Sequence, residues 1–127
     1  MNFDEAIKAH TYWKVMLKWL INGQRPVDAS QVSLDTDCEL GKWIAGDGQA
    51  YSGLAGFDAF VRQHAAFHEA AGAVARLVQS GNRPQADAMM APQGEFTVAS
   101  EKTIAAIKDL KLQVKNNQIS GTAIRKP

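Results

Sequence analysis

The sequence predicts an all-α fold, an antiparallel four-helix-type bundle with an additional short helix. Three long stretches carry apolar residues at three- and four-residue steps, which is typical of helices that bury one face in a core. Glycine or proline separates these stretches, as at Gly23, Gly46, Gly81 and Pro92. No segment alternates apolar and polar residues in the manner of a β-strand. Three long helices and two shorter ones therefore indicate a helical bundle.

The first half of the chain contains one long and one short predicted helix. The long helix spans residues 3–22 and ends at Gly23, a natural helix stop. A turn-rich segment follows it. Thr36 and Glu39 then have the Thr-x-x-Glu spacing of a capping box, which predicts a short helix from there to about Ala45.

The second half contains two long helices and another short one. Apolar periodicity predicts the long helices over about residues 57–80 and about 95–115. Pro84 suits the first turn of a short helix between them, which runs through Met90.

Length and composition indicate one globular domain. At 127 residues the chain can bury a real core; we assign residues 1–115 to the helical domain and residues 116–127 to a polar, flexible tail. A net charge of +1 gives no general case for a nucleic-acid or anionic-membrane partner. The single cysteine excludes an internal disulfide.

No apolar run approaches the ~20 residues of a membrane span, and no signal peptide is evident. The sequence thus favours a cytoplasmic protein without membrane insertion.

All three histidines and the only cysteine lie at positions that favour a shared site, namely His10, Cys38, His64 and His68. The histidines fall on the apolar faces of predicted helices, and the last two are one turn apart, so their rings point from the same face. A buried imidazole without partners costs about 1–3 kcal/mol per unsatisfied group. A shared metal ion removes this cost because each ring gives one nitrogen to the ion.

Cys38 is suited to complete such a site. It falls in the first turn of the predicted short helix, where the helix dipole favours the thiolate, the form that binds zinc. Two histidines from one helix, one from another and a thiolate from a third segment predict a closed tetrahedral Zn²⁺ site.

The residues alone leave simpler explanations for these histidines and this cysteine open. A single buried histidine is more often a satisfied core residue than a ligand, and a lone cysteine is usually a small buried hydrophobe. A metal-free helical interaction or dimerisation module is therefore the alternative. A zinc hydrolase is less favoured, since catalytic zinc needs an open position and a general base, and Ala65 stands where a zinc protease carries glutamate. A carboxylate-bridged iron bundle needs inward-facing glutamates that the pattern lacks.

The segment Cys38-Glu-Leu-Gly-Lys-Trp43, preceded by a helix with His10 and followed by His64-Ala-Ala-Phe-His68, resembles the chemoreceptor zinc-binding (CZB) domain family. The family pattern is a helix-borne histidine, a Cys-x-x-Gly-x-Trp motif and a His-x-x-x-His pair, in that order. The resemblance covers about residues 3–112. It implies that the four residues bind one zinc ion within a helical bundle.

The resemblance also implies a function. Members are cytosolic sensory modules, usually attached to chemotaxis receptors or to domains that make cyclic di-GMP, and they are linked to the sensing of zinc and of thiol oxidants such as hypochlorous acid. We therefore expect a regulatory module rather than an enzyme, one that responds to zinc availability or to oxidation of Cys38. The expected partners are a second subunit in a homodimer and a chemotaxis-receptor or cyclic-di-GMP signalling protein.

Overall fold

The computed structural model describes residues 1–23 and 38–120, with the backbone alone for residues 117–120. These residues form five α-helices and one 3₁₀ helix, and the described ranges contain no strand, so the predicted all-α bundle is confirmed. The elements are α1 (Phe3–Ile21), α2 (Glu39–Ala45), the 3₁₀ helix (Asp47–Tyr51), α3 (Phe57–Gln79), α4 (Arg83–Met90) and α5 (Glu95–Ser120). None of these helices is long and apolar enough to cross a lipid bilayer.

The hydrophobic core has two clusters along the bundle. Cluster I joins the second halves of α1 and α3 to α4 and the start of α5; its buried members are Leu17, Leu20, Ile21, Phe67, Ala71, Val74, Ala75, Ala86, Met90 and Phe96. Cluster II joins the starts of α1 and α3 to α2 and the second half of α5; its buried members are Ala6, Leu40, Ile44, Phe57, Phe60, Ile107, Leu110 and Val114. Helices α1 and α3 therefore run in the same direction, and α5 runs antiparallel to both.

Local sequence signals set the helix ends. The Asn2 side-chain oxygen accepts the Glu5 N–H at 3.0 Å and so caps the start of α1. Gly23 and Gly81 follow α1 and α3 with φ of +76° and +81°. These left-handed conformations end a helix and are accessible to glycine without a Cβ clash. The predicted stops after these two helices are thus in place.

Some predicted boundaries differ from those observed. Helix α5 continues to Ser120, past the predicted end near residue 115, because the sequence has no glycine or proline before Gly121 to stop it. The glycine-bearing connection after α2 contains the 3₁₀ helix, which apolar periodicity does not reveal. Thr36 of the predicted capping box lies outside the described residues, as does the turn-rich segment before it. The division into a domain of residues 1–115 and a tail stays a prediction.

Position 48 requires glycine because the backbone of the 3₁₀ helix packs closely against Trp43 there. A Cβ at this position would lie 2.7 Å from the Trp43 carbonyl oxygen and 2.8 Å from its ring. The same ring packs on Phe3 and stacks on Tyr51, with centroid distances of 5.4 and 6.0 Å, so it has little freedom to move. We expect Gly48→Ala to lower the free energy of unfolding by about 1–3 kcal/mol, as measured by urea denaturation.

Gly53→Ala is the matched control, because a Cβ at Gly53 would have no atom of the described residues within 4 Å. It should be close to neutral. Equal losses of stability in the two variants would contradict the role given to Gly48.

Candidate metal centre

The structure brings the four sequence-predicted residues together inside the bundle. Their candidate ligand atoms, one from each side chain, all lie within 4.8 Å of one another; the residues are His10, Cys38, His64 and His68, called below the four site residues. One comes from α1, one from the start of α2 and two from successive turns of α3. The centre lies where clusters I and II meet. The three segments are distant in sequence, so the site exists only in the folded chain.

Cys38 is the N-cap of α2 rather than a residue of its first turn. Its backbone is extended, with φ −88° and ψ 161°, and its Sγ accepts the Gly41 N–H at 3.3 Å. The sulfur therefore takes the place that a capping oxygen has in other helices. The N–H group and the helix dipole both favour the thiolate over the thiol. The predicted preparation of this ligand as a thiolate stays a prediction, and the backbone position on which it rests differs from the one expected.

The ring of His10 is oriented by a backbone hydrogen bond. Its Nδ1 lies 2.7 Å from the carbonyl oxygen of Ala6, one turn earlier in α1. Because a carbonyl only accepts, Nδ1 carries the proton and Nε2 presents its lone pair to the centre. This is the outer hydrogen bond that a metal-binding histidine needs. Residue spacing does not reveal it, since the acceptor belongs to the main chain.

The distances among three of the ligand atoms fit a tetrahedral zinc site. His64 Nε2 lies 3.2 Å from Cys38 Sγ and 3.2 Å from His10 Nε2, and the Sγ to His10 Nε2 distance is 4.0 Å. Zinc bond lengths of about 2.0–2.1 Å to nitrogen and about 2.3 Å to sulfur require tetrahedral edges of about 3.3 Å and about 3.6 Å. These three side chains therefore match the size of a Zn²⁺ site, and all four have its donor chemistry.

Burial keeps His10 and His64 in the neutral form that binds metal. His64 is 0 % exposed, and its burial lowers the ring pKa to about 3, with further lowering by the adjacent His68 and His10. Burial is also the main reason that the pKa of His10 is lowered. Both rings are therefore uncharged at neutral pH, with a lone pair available on each.

His64 also shows the cost of this arrangement. Its Nδ1 is buried and has no hydrogen-bond partner among the described residues. Without a metal ion, its Nε2–H donates toward the His10 Nε2 lone pair and the Cys38 sulfur, each 3.2 Å away, and Nδ1 is left unpaired. A cation between these atoms would replace that proton and accept a lone pair from His64, His10 and Cys38 together.

His68 completes the set from the next turn of α3. Its ring centroid lies 4.7 Å from that of His64 and 5.7 Å from that of His10. Trp13 and Phe67 pack against the His68 ring at centroid distances of 6.1 and 5.2 Å. The aromatic residues exclude water from this side and fix the ring plane. They lie on the same helix faces as the histidines, so periodicity identifies them only as core residues.

A cavity of about 440 Å³ lies between α1 and α2 beside the centre. His10, Trp13 and Cys38 line it, together with Leu40. Cys38 is the one site residue that is only half-buried, whereas all three histidines are buried. The sulfur is therefore the ligand atom that a small molecule in this cavity can approach.

The family model described as the chemoreceptor zinc-binding domain matches residues 10–75. The chain belongs to this family. The matched range runs from His10 to near the end of α3, so it includes the four site residues, whereas α4 and α5 lie beyond it. The resemblance seen in the sequence is thereby confirmed over residues 10–75, a shorter range than the residues 3–112 expected, and the domain is a CZB domain, a class described by zinc binding. No curated protein and no solved structure matched the chain.

Proposed function

We propose that this CZB domain is a zinc-responsive regulatory module in which the four site residues hold one Zn²⁺. Loss of the ion, through zinc depletion or through oxidation of Cys38, changes helix packing, and a partner or a second subunit reads the change. The convergence of three buried imidazoles and one thiolate from three helices carries this proposal. Packing alone does not explain it, because a metal-free core gains more from apolar side chains at these positions.

Each residue has a distinct part in the bound state. When bound, zinc supplies the positive charge that lets a thiolate and three neutral rings share a buried site. The Ala6 carbonyl holds the His10 ring in the required tautomer, and the Gly41 N–H supports the charge on Cys38. His64 and His68 fix the centre to α3 from two successive turns. The ligands thus tie α1, α2 and α3 together.

Cys38 is the part of the site on which an oxidant acts. With hydrogen peroxide, the thiolate sulfur attacks one peroxide oxygen; the S–O bond forms, the O–O bond breaks and hydroxide leaves, giving the sulfenic acid. The product has lost the negative charge that made the sulfur a zinc ligand. Helix α2 is then held only by its own contacts, mainly the buried Leu40 and Ile44 in cluster II. Movement of this seven-residue helix is the proposed signal.

The proposed recipients of the signal are a second copy of the chain and a cytoplasmic signalling protein, a chemotaxis receptor or a cyclic-di-GMP enzyme. Family membership supports the second of these, since the family is described as a chemoreceptor domain. Tyr12 and Val15 are exposed apolar residues on α1, which supports self-association.

Cys38→Ala tests the regulatory part of the proposal. We expect wild-type protein loaded with zinc to release the ion on treatment with peroxide, and a thiol reductant to restore binding. The variant should keep weaker zinc binding through its three histidines and lose the peroxide response, because no sulfur ligand is left to oxidise. A chromogenic chelator that reports free zinc measures both. If peroxide releases zinc from Cys38→Ala as fast as from wild type, the cysteine is not the switch.

A further inference from the structure

Helix α5 supplies none of the four site residues, yet it holds the ligand helix α3 at the turn where the metal centre begins. The hydroxyl of Thr103 donates to the main-chain oxygen of Gln63 at 3.2 Å. The same hydroxyl accepts the Gln63 side-chain amide at 3.4 Å, and that amide also reaches the Ala99 carbonyl at 3.5 Å. Gln63 immediately precedes His64 in the chain. One α5 side chain therefore contacts both the main chain and the side chain of the residue next to a candidate ligand.

The environment of Thr103 makes this contact specific. The residue is 0 % exposed, so its hydroxyl depends on protein groups for hydrogen bonds. A helix turns by about 100° per residue, so holding the Gln63 carbonyl fixes the direction in which the next residues point. His64 and His68 both project from this part of α3 toward the centre. A small rotation of α3 would move both rings away from His10 and Cys38.

We infer that Thr103 is a positioning residue for the zinc site, which it serves by fixing the rotation of α3 about its axis through the two hydrogen bonds to Gln63. The inference rests on the proposed zinc-binding function. It extends the site to α5, which lies outside the range matched by the family model. The same hydrogen bonds connect α5 directly to the ligand helix α3. A movement of α3 at the metal centre is therefore passed on to α5.

Co²⁺ titration of the full chain tests this inference, because the absorption bands of bound Co²⁺ report both affinity and ligand geometry. Thr103→Val keeps the volume and removes the hydroxyl. We expect it to weaken Co²⁺ binding by roughly tenfold, no more than the smallest effect of losing a hydrogen bond made directly to a metal ligand, because Thr103 acts through Gln63, and to shift the visible bands. Thr103→Ser, which keeps the hydroxyl, should restore the wild-type spectrum and most of the affinity.

Thr97→Val is the matched control on the same helix. Thr97 is also buried, and its hydroxyl donates at 3.0 Å to the carbonyl of Met90, which belongs to α4 and not to the ligand helix α3. The Thr97→Val variant should be less stable than the wild type but should bind Co²⁺ with the same spectrum and affinity. If Thr103→Val binds Co²⁺ as wild type does, or if Thr97→Val weakens binding equally, the inference is overturned.

Circular dichroism establishes that each variant is folded. If Thr103→Val is not helical, Thr103→Ala decides instead, since it also removes both hydrogen bonds to Gln63 but places no methyl group against the Gln63 carbonyl. Weaker binding with shifted bands supports the inference, and wild-type behaviour overturns it. The wild-type titration is a separate readout: absence of Co²⁺ binding there contradicts the proposed function itself, and the inference fails with it.

Discussion

Removal of zinc is expected to lower the melting temperature of the wild-type domain by roughly 10–20 °C. A ligand that binds only the folded state and is present at about 1,000 times its dissociation constant adds about 4 kcal/mol. Each kcal/mol shifts the melting temperature of a domain of this size by a few degrees. The effect should be large because the ion would join three helices through buried ligands, and because without it the His64 Nδ1 stays buried without a hydrogen-bond partner among the described residues.

Circular dichroism melts with and without a strong chelator measure this shift, and added zinc should restore the higher melting temperature. His64→Ala is the control, since a variant that holds no zinc has nothing to lose on chelation. Identical melts of wild-type protein in zinc and in chelator would contradict the account and would favour the metal-free interaction module.

Replacement of His64 by leucine is expected to lower the zinc affinity and to raise the stability of the metal-free domain. Zinc affinity should fall by far more than the roughly 10- to 100-fold cost of losing an outer-shell hydrogen bond, since a direct ligand is removed. The metal-free domain, in contrast, should gain about 1 kcal/mol. The ring is 0 % exposed and its buried Nδ1 has no hydrogen-bond partner among the described residues, so the wild-type protein bears a desolvation cost that leucine does not, and this cost exceeds what the hydrogen bond from Nε2 to His10 returns.

Urea unfolding of both proteins in chelator measures this gain. Phe67→Leu provides a matched comparison, because Phe67 is equally buried on the same helix and belongs to cluster I. That variant should be less stable than wild type, since it leaves a cavity. A metal-free His64→Leu protein less stable than the metal-free wild type would show that the histidine has a structural role of its own.

The opposite signs expected for these two replacements illustrate what sequence alone reveals. Periodicity places His64 and Phe67 on one buried face of α3, and it does so correctly, because helix faces follow from local spacing. Residue type then distinguishes them, because a buried histidine needs a hydrogen-bond or metal partner for its ring nitrogens and a buried phenylalanine does not. For this reason the helices and the convergence of the four site residues could be predicted.

Other parts of the site depend on contacts that spacing does not encode. Cys38 caps α2 because its sulfur meets the Gly41 N–H, a backbone detail that competes with the capping signal of Thr36. The orientation of His10 comes from a carbonyl of its own helix. The link from Thr103 to Gln63 joins residues 40 positions apart, and nothing in either local sequence predicts the pairing. These features belong to tertiary packing, and they hold the rings and the sulfur in place.

Metal content tests the central claim most directly. Protein purified without an affinity tag, as wild type and as His64→Ala, would be analysed by elemental analysis and corrected for protein concentration. The account predicts about one zinc ion per chain in the wild type and a loss of the ion in the variant. Wild-type protein that contains no zinc, even after reconstitution under mild reduction, would contradict it.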